Sequence, residues 1–594
     1  MPGIIGIINQ TPASCSSHLV NDMVSVMSYE DFYKSGTYFD PEAGIGAGFV
    51  GFKESRDGIF SEPSGNIVLA FSGDCFVADG AATGATIIQM YERDGEQMLE
   101  QLNGLFCGLL IDKRRKKTLL FNDRYGIRRI YYHESGGNFY FASEAKALLR
   151  ILPELREFNP EGVADYLSFG CTLDWKTLFR GIDILPGGSA WIYEAGRWRK
   201  GKYFTPETWE SQPQLAAGDY EELLPETFKK ILPRYFESCS KTGIALTGGM
   251  DTRMIMACRP KNNALTTCYT FSGNNGKTLD DKIAARVAAA EHLEHKRVRL
   301  EADFFSNFSK YADKTVFSTD GCAGISNSHE NYFNRKAREL APVRLTGNYG
   351  SEIMRAISWF KPLSLSPRLF NPGLRPIIQS TAARLAEHKG RPMTFGAFKE
   401  VPWNLYGNLS AGWSQLQFRT PYLDNELVAL AFQAPEAVRK SPNLPLRIVS
   451  ENNDLLAQIP TDRGYANENS GPRFLARRIF AEVTFKLDYY NNEGFPNALA
   501  PLEPLLKTAG SWLGLLGLHK FLNYRNWFQN EFAPYVRDTV SASQGRLGEF
   551  FDSGFLETMT EEHIDRKKNW TLEINAVLTL EAIERLLFRE LPRN

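Results

Sequence analysis

Up to about residue 205 the chain alternates short apolar runs with glycine-rich turns. The runs fall at 3–8, 44–52, 66–71, 104–111, 118–122, 129–133, 138–143 and 188–193. Runs this short, bounded by turn residues, predict strands, and so many in one segment predict two packed sheets. Two stretches with helical spacing interrupt them, at 81–94 and 160–169. Residues 206–217 are polar, hold two prolines and lack periodicity, which marks a linker. Beyond it the pattern changes: helix 219–237, strand 242–246, a glycine turn and helix, strand 265–271, helix 280–293 and strand 296–300. This β-α-β-α-β order predicts a parallel sheet. A further strand is expected at 343–346, and a mostly helical remainder to 594.

Composition narrows the classes. The chain has 594 residues, 43% hydrophobic and 23% charged, enough for large buried cores. Lys plus Arg is 68 against 69 Asp plus Glu, so no dedicated nucleic-acid partner is expected. The eight cysteines form no CxxC pair and read as reduced buried thiols. With no basic leader before the first apolar run, a cytoplasmic location is expected. No transmembrane segment is expected either: the apolar stretch 512–522 is half a membrane span and reads as a buried or amphipathic helix.

The sharpest motif is Leu246-Thr247-Gly248-Gly249-Met250-Asp251-Thr252-Arg253, between a strand and a helix. Glycines let backbone amides approach phosphate oxygens, and the helix start adds its dipole and free N–H groups. Asp251 suits Mg2+ on a pyrophosphate. No GK[ST] follows, so this is not a Walker A loop, and it is not GxGxxG. A capped turn is the plain structural alternative.

The motif and its surroundings resemble the asparagine synthetase family and, more broadly, the N-type ATP pyrophosphatases, whose loop is SGGxDS. The resemblance implies ATP cleavage to AMP and pyrophosphate through an acyl-adenylate, with ATP and Mg2+ as cofactors. Leu246, Thr247, Gly248, Gly249, Asp251, Thr252 and Gly347 would then bind the nucleotide. The second site is Leu345-Thr346-Gly347-Asn348-Tyr349-Gly350-Ser351-Glu352, where the family carries GEGSDE. Without a gap, Asn348 and Ser351 replace the catalytic glutamate and the metal aspartate. A one-residue insertion instead puts Tyr349 at the catalytic position, as in β-lactam synthetase, and Glu352 beside Asp251 as metal ligand. The second alignment is preferred because it keeps a carboxylate pair. Gln417 to Asp424 resembles the family's E-x-R-x-P-F-L-D, with Arg419 and Asp424 expected in buried hydrogen-bonded pairs. In Thr461-Asp462-Arg463-Gly464-Tyr465, Arg463 stands in for the family's catalytic lysine. Asp280-Asp281 would cap its helix or face the substrate.

Met1-Pro2-Gly3-Ile4-Ile5-Gly6 resembles the family start M-C-G-I-x-G, with Pro2 in place of the nucleophilic cysteine of class II glutamine amidotransferases. Neither Cys75 nor Cys15 can present a free α-amine. The pocket segments are altered as well: Met27 to Asp31, Ser72-Gly73-Asp74 and Ala82 to Thr86. The scaffold motifs persist in Leu102-Asn103-Gly104-Leu105-Phe106, Asp123 to Arg128 and Phe141-Ala142-Ser143-Glu144.

The expected fold is therefore an α+β Ntn-type αββα sandwich over 1–205, glutaminase-like and inactive, then the linker 206–217. An α/β parallel-sheet ATP-pyrophosphatase (adenine nucleotide α-hydrolase-like) domain with a helical C-terminal extension would cover 218–594. The expected function is an ATP-dependent amide ligase that joins a small-molecule or peptide carboxylate to ammonia or a substrate amine without glutamine hydrolysis. An intramolecular cyclase of β-lactam-synthetase or lasso-peptide-cyclase type is one alternative, and a non-catalytic nucleotide-binding scaffold another. A homodimer is left open.

Overall fold

The computed structural model describes the chain except residues 1, 10–16, 79, 238–240, 262–265, 274–277, 442, 468–470, 494–515, 544 and 592–594. Among the described residues thirteen strands precede residue 203: β1 (Gly3–Ile8), β2 (Tyr33–Asp40), β3 (Ile45–Phe52), β4 (Gly58–Ser61), β5 (Ile67–Val77), β6 (Gly80–Ala81), β7 (Asn103–Asp112), β8 (Lys117–Asn122), β9 (Tyr131–Ser135), β10 (Asn138–Ala142), β11 (Asp183–Ile184), β12 (Ser189–Glu194) and β13 (Arg197–Lys202). They build two antiparallel sheets, ordered β11-β9-β10-β1-β3-β2 and β13-β12-β8-β7-β5-β4, with β6 paired to β5.

Alternation along β1 explains why it is buried on both faces. Ile5 and Ile7 pack with Val20, Met23 and Leu148 of the helices Ser17–Met27 and Ala145–Ile151. Ile4 and Ile8 face the second sheet, among Leu109, Ile111 and Leu120. Leu110 of β7 points the other way, toward Ile87 and Ile88 of the helix Gly84–Asp94. Four layers result: helices, sheet, sheet, helix.

The remaining strands, β14 (Thr242–Ala245), β15 (Thr266–Ser272), β16 (His295–Arg299), β17 (Val343–Leu345) and β18 (Gln417–Arg419), form one parallel sheet in the order β16-β15-β14-β17-β18. The chain thus combines a mixed α+β part with an α/β parallel-sheet part that carries C-terminal helices. Strands β2, β4, β6, β11, β13 and β18 were not anticipated from the sequence. In β13, RWRKGK, five of six positions are polar or glycine, because as an edge strand it buries little. Within 206–217 a one-turn helix, Glu207–Glu210, buries Trp209 against Phe204 and Phe398. Of the expected helix 512–522, residues 512–515 lie outside the described residues and 516–522 are turn and irregular backbone. The described cysteines are free thiols. Among the described residues no helix is long and apolar enough to cross a membrane.

Candidate functional site

Two loops leave the C-terminal ends of the adjacent strands β14 and β17. This is the crevice where open parallel sheets receive ligands. The first loop leads into the helix Met250–Cys258, whose N-cap is Gly249 in extended conformation with no side-chain cap. The helix start is therefore free to receive an anion. The second loop leads into the helix Gly350–Arg355 through Tyr349, whose φ of 72° lies in the left-handed region. A bulky residue held there is strained, and such strain gathers at functional sites.

The loops touch through their glycines. A Cβ on Gly350 would stand 2.5 Å from Asp251 Cγ, and one on Gly347 would stand 2.8 Å from the Thr252 nitrogen. Ser351 Oγ lies 3.5 Å from Asp251 Oδ2 and accepts from Arg355 at 2.6 Å. The Tyr422 hydroxyl donates to the Asp251 carbonyl at 2.8 Å. Asp251 and Glu352 thus belong to one small charged cluster. Burial, reinforced by the Asp462 carboxylate, pushes Asp251 up to about 6, while Arg355 opposes the shift. Glu352, only 7% exposed, is pushed up to about 7 by burial and then by Glu400 and Asp251.

Two carboxylates driven toward neutrality by burial and by neighbouring carboxylates suit a divalent cation, which restores their charge. Mg2+ takes one or two carboxylates and fills its other places with phosphate oxygens and water. Among the described residues there is no group of three or more His, Cys, Asp or Glu that could hold a metal ion. The donor set therefore fits an ion shared with a phosphate substrate, not a closed protein cage.

The other residues singled out from sequence fall as follows. Leu246 is buried, and its carbonyl accepts from Thr270 Oγ1 at 3.0 Å. Thr247 Oγ1 accepts from the Gly249 N–H at 3.2 Å and lies 3.4 Å from Thr252 Oγ1. The Gly248 N–H donates to Asp280 Oδ1 at 2.7 Å. Tyr349 is buried, its hydroxyl has no partner among the described residues, and burial holds it far above the usual phenol range. Burial thus favours its neutral form.

Arg463 Nε lies 3.8 Å from Asp462 Oδ2. Its guanidinium stacks on Phe485 at 3.6 Å and lies 3.9 Å from Glu482. Asp462 touches the glycine turn directly: its N–H donates to the Gly248 carbonyl at 3.1 Å, and a Cβ on Gly248 would meet its Cβ at 2.8 Å. The adjacent pair Asp280-Asp281 splits its work. Asp281 closes a capping box with Thr278, and Asp280, pushed up to about 6 by burial, holds the turn.

Arg419 and Asp424 are each buried and hydrogen-bonded, with partners the sequence did not name. Arg419 meets Asp74 at 2.8 Å, and Asp424 accepts from Asn103 Nδ2 at 3.0 Å and from the Tyr235 hydroxyl at 2.9 Å. Near the chain start, the Ile4 N–H donates to Ser143 Oγ at 3.0 Å, and Asp57 Oδ1 accepts the Gly73 N–H at 2.7 Å. Cys107 Sγ lies 3.8 Å from Ser143 Oγ, but burial pushes its thiol up to about 12.

Residues 60–204 match a family model described as a glutamine amidotransferase domain. Asparagine synthetase (glutamine-hydrolyzing) 2 of Bacillus subtilis (strain 168) is 24% identical over 513 residues, covering 74% of this chain and 68% of that protein. Asparagine synthetase (glutamine-hydrolyzing) 1 of the same organism is 22% identical, covering 97% and 96%. A solved glutamine phosphoribosylpyrophosphate (PRPP) amidotransferase from B. subtilis, complexed with ADP and GMP, is similar at 12% identity and a TM-score of 0.23, covering 50% of this chain and 65% of that one. The chain carries a glutamine-amidotransferase-like domain and is a low-identity relative of asparagine synthetases.

These matches overturn the expectation of a ligase that works without glutamine hydrolysis. The amidotransferase match rests on the whole stretch 60–204, and the matched synthetases are named as glutamine-hydrolyzing. Pro2 and the altered segment 27–31 lie outside that stretch, while Ser72 to Asp74 and Ala82 to Thr86 lie within it.

Proposed function

We propose that the chain is an ATP-dependent amidotransferase or ligase of the asparagine-synthetase type, with glutamine as the nitrogen donor. The observation that carries the ATP half is the meeting of an uncapped helix start with Asp251 and Glu352 between β14 and β17. Thr247, Gly249 and Thr252 would cradle phosphate oxygens, and Gly347 would give the room for it. Asp251 and Glu352 would hold Mg2+, which supplies charge neutralisation on the pyrophosphate. A substrate carboxylate then attacks the α-phosphorus, pyrophosphate leaves, and nitrogen displaces AMP from the acyl-adenylate. Tyr349, as a neutral donor, would orient the substrate. Pre-organised charge and positioning supply the acceleration.

Glutamine is supported by the match over 60–204 and by the relatives. Pro2, at the position of the family's nucleophilic cysteine, has no thiol, so no thioester can form at that residue. The test supplies Mg2+-ATP, a panel of carboxylates and glutamine labelled at the amide nitrogen. Release of pyrophosphate, AMP and glutamate, with label in the new amide and loss of all in Asp251→Ala, supports the proposal. An amide that forms only when ammonium is supplied, and carries no label, overturns the glutamine part, and absence of ATP binding overturns the whole.

A further inference from the structure

Directly after the turn's last hydroxyl residue, Thr252, comes Arg253. It is only 1% exposed and is the bulkiest of the fully buried side chains. Its guanidinium crosses from the helix Met250–Cys258 to the end of the helix Asp454–Gln458. There it donates to the carbonyls of Leu456 at 3.5 Å, of Ile459, and of Pro460 at 3.4 Å. Helix ends leave carbonyls unsatisfied and carry partial negative charge, which a cation offsets.

The residues that follow form a tight turn. The Thr461 N–H donates to the Tyr465 carbonyl at 2.8 Å, and the Gly464 N–H to the Thr461 carbonyl at 2.9 Å. This turn bears Asp462, which is bonded to Gly248. A buried cation held only by carbonyls is a costly choice where an apolar side chain would fill the space. Burial pushes this guanidinium down to about 10, and the nearby Asp462 charge works against that. The planar fork reaches several carbonyls at once, which an ammonium cannot do.

We propose that Arg253 is a positioning residue that pins 456–460 and so seats the 461–465 turn on Gly248. One residue then couples the two segments that flank the nucleotide. The proposal deepens the ATP reading and rests on it for its kinetic consequence, but its structural half stands apart.

The test compares the full-length protein with Arg253→Lys, Arg253→Met and Asp462→Ala. Amide exchange over 457–467 is expected to speed up about tenfold or more in Arg253→Met, with partial recovery in Arg253→Lys and no change in β1 or β7. In the Arg253 variants the KM for ATP is expected to rise about tenfold while kcat changes about twofold at most, and Asp462→Ala, which keeps the backbone N–H donated to Gly248, is expected not to reproduce the KM rise. Unchanged exchange over 457–467 with a lowered melting temperature overturns the proposal and leaves Arg253 as core filling. If Arg253→Met does not fold, Arg253→Lys decides on the same two readouts. Absence of ATP binding in the unaltered protein sinks the proposed function, while the exchange result still decides the role of Arg253.

Discussion

At the scale of single residues, the site stores unfavourable charge. Asp251, Asp280 and Glu352 all have folded-state values raised above those of an unfolded chain, to about 6, 6 and 7. A raised carboxyl binds its proton more tightly in the folded state. These groups therefore subtract stability above about pH 4, and that loss is relieved as pH falls from 7 toward 4. Asp251→Asn should raise the melting temperature of the ligand-free protein at pH 7.5, by an amount worth about 1 kcal/mol, while abolishing stabilisation by Mg2+-ATP. Thermal melts with and without nucleotide check both. Protons and Mg2+ compete for the same oxygens, so the Mg2+-ATP stabilisation should shrink as pH drops from 8 to 6. A stabilisation that grows over that range would contradict the assignment of the pair.

At the scale of elements, the two turns are fixed by what glycine leaves empty. Gly350→Ala should displace the Asp251 carboxylate, because the new methyl carbon would stand 2.5 Å from its Cγ. Nucleotide affinity is expected to fall at least tenfold with the rest of the fold intact, as titration calorimetry and circular dichroism would show. By contrast, Thr83→Ala removes the cap of the helix Gly84–Asp94, should cost about 1 kcal/mol, and should leave ATP binding unchanged. Denaturant titration measures the first and calorimetry the second.

The same contrast explains what the sequence disclosed. Strand β1 and strands β14 to β17 of the parallel sheet were legible because apolar runs and glycine turns are local signals. The turn at Thr247 to Thr252 was legible because its chemistry is contiguous. Asp462 was not, since its role depends on a contact with Gly248 more than two hundred residues away in the chain. Edge strand β13 was missed because an edge needs few apolar residues, and Trp209 gave no period by which a buried one-turn helix could be seen.

At the scale of the molecule, the sandwich and the parallel sheet are joined by buried polar contacts. Asp74 of β5 accepts from Gln417 Nε2 at 2.7 Å and meets Arg419 at 2.8 Å. Next to Arg419, Thr420 Oγ1 donates to the Asn348 carbonyl in the second loop at 2.9 Å. Asp74→Ala leaves a buried guanidinium without its carboxylate and should destabilise the protein by about 3–5 kcal/mol. It should also weaken nucleotide binding through the loop at Asn348. Melting and calorimetry on one sample separate the two effects, and a stable variant with unaltered affinity would show that this contact is dispensable.

Elsewhere the junction is as closely fitted. Lys146 lies between Glu144 and Asp320, at 2.5 and 3.1 Å, and Arg129 reaches the Pro402 carbonyl at 2.5 Å while stacking on Tyr406 at 3.5 Å. Each pair has one member before residue 205 and the other after 317, apart from the local Glu144. A recombination event with its breakpoint in between would inherit one member of each pair from a different parent. Unmatched charges would then lie in the interior of the hybrid. Shuffling between distant relatives should fail at this seam even where both parents supply intact motifs, and exchanges that carry 74, 103, 129 and 146 together with 320, 402, 419 and 424 should survive. The seam makes the gene inherit as a single block, whatever chemistry either half performs.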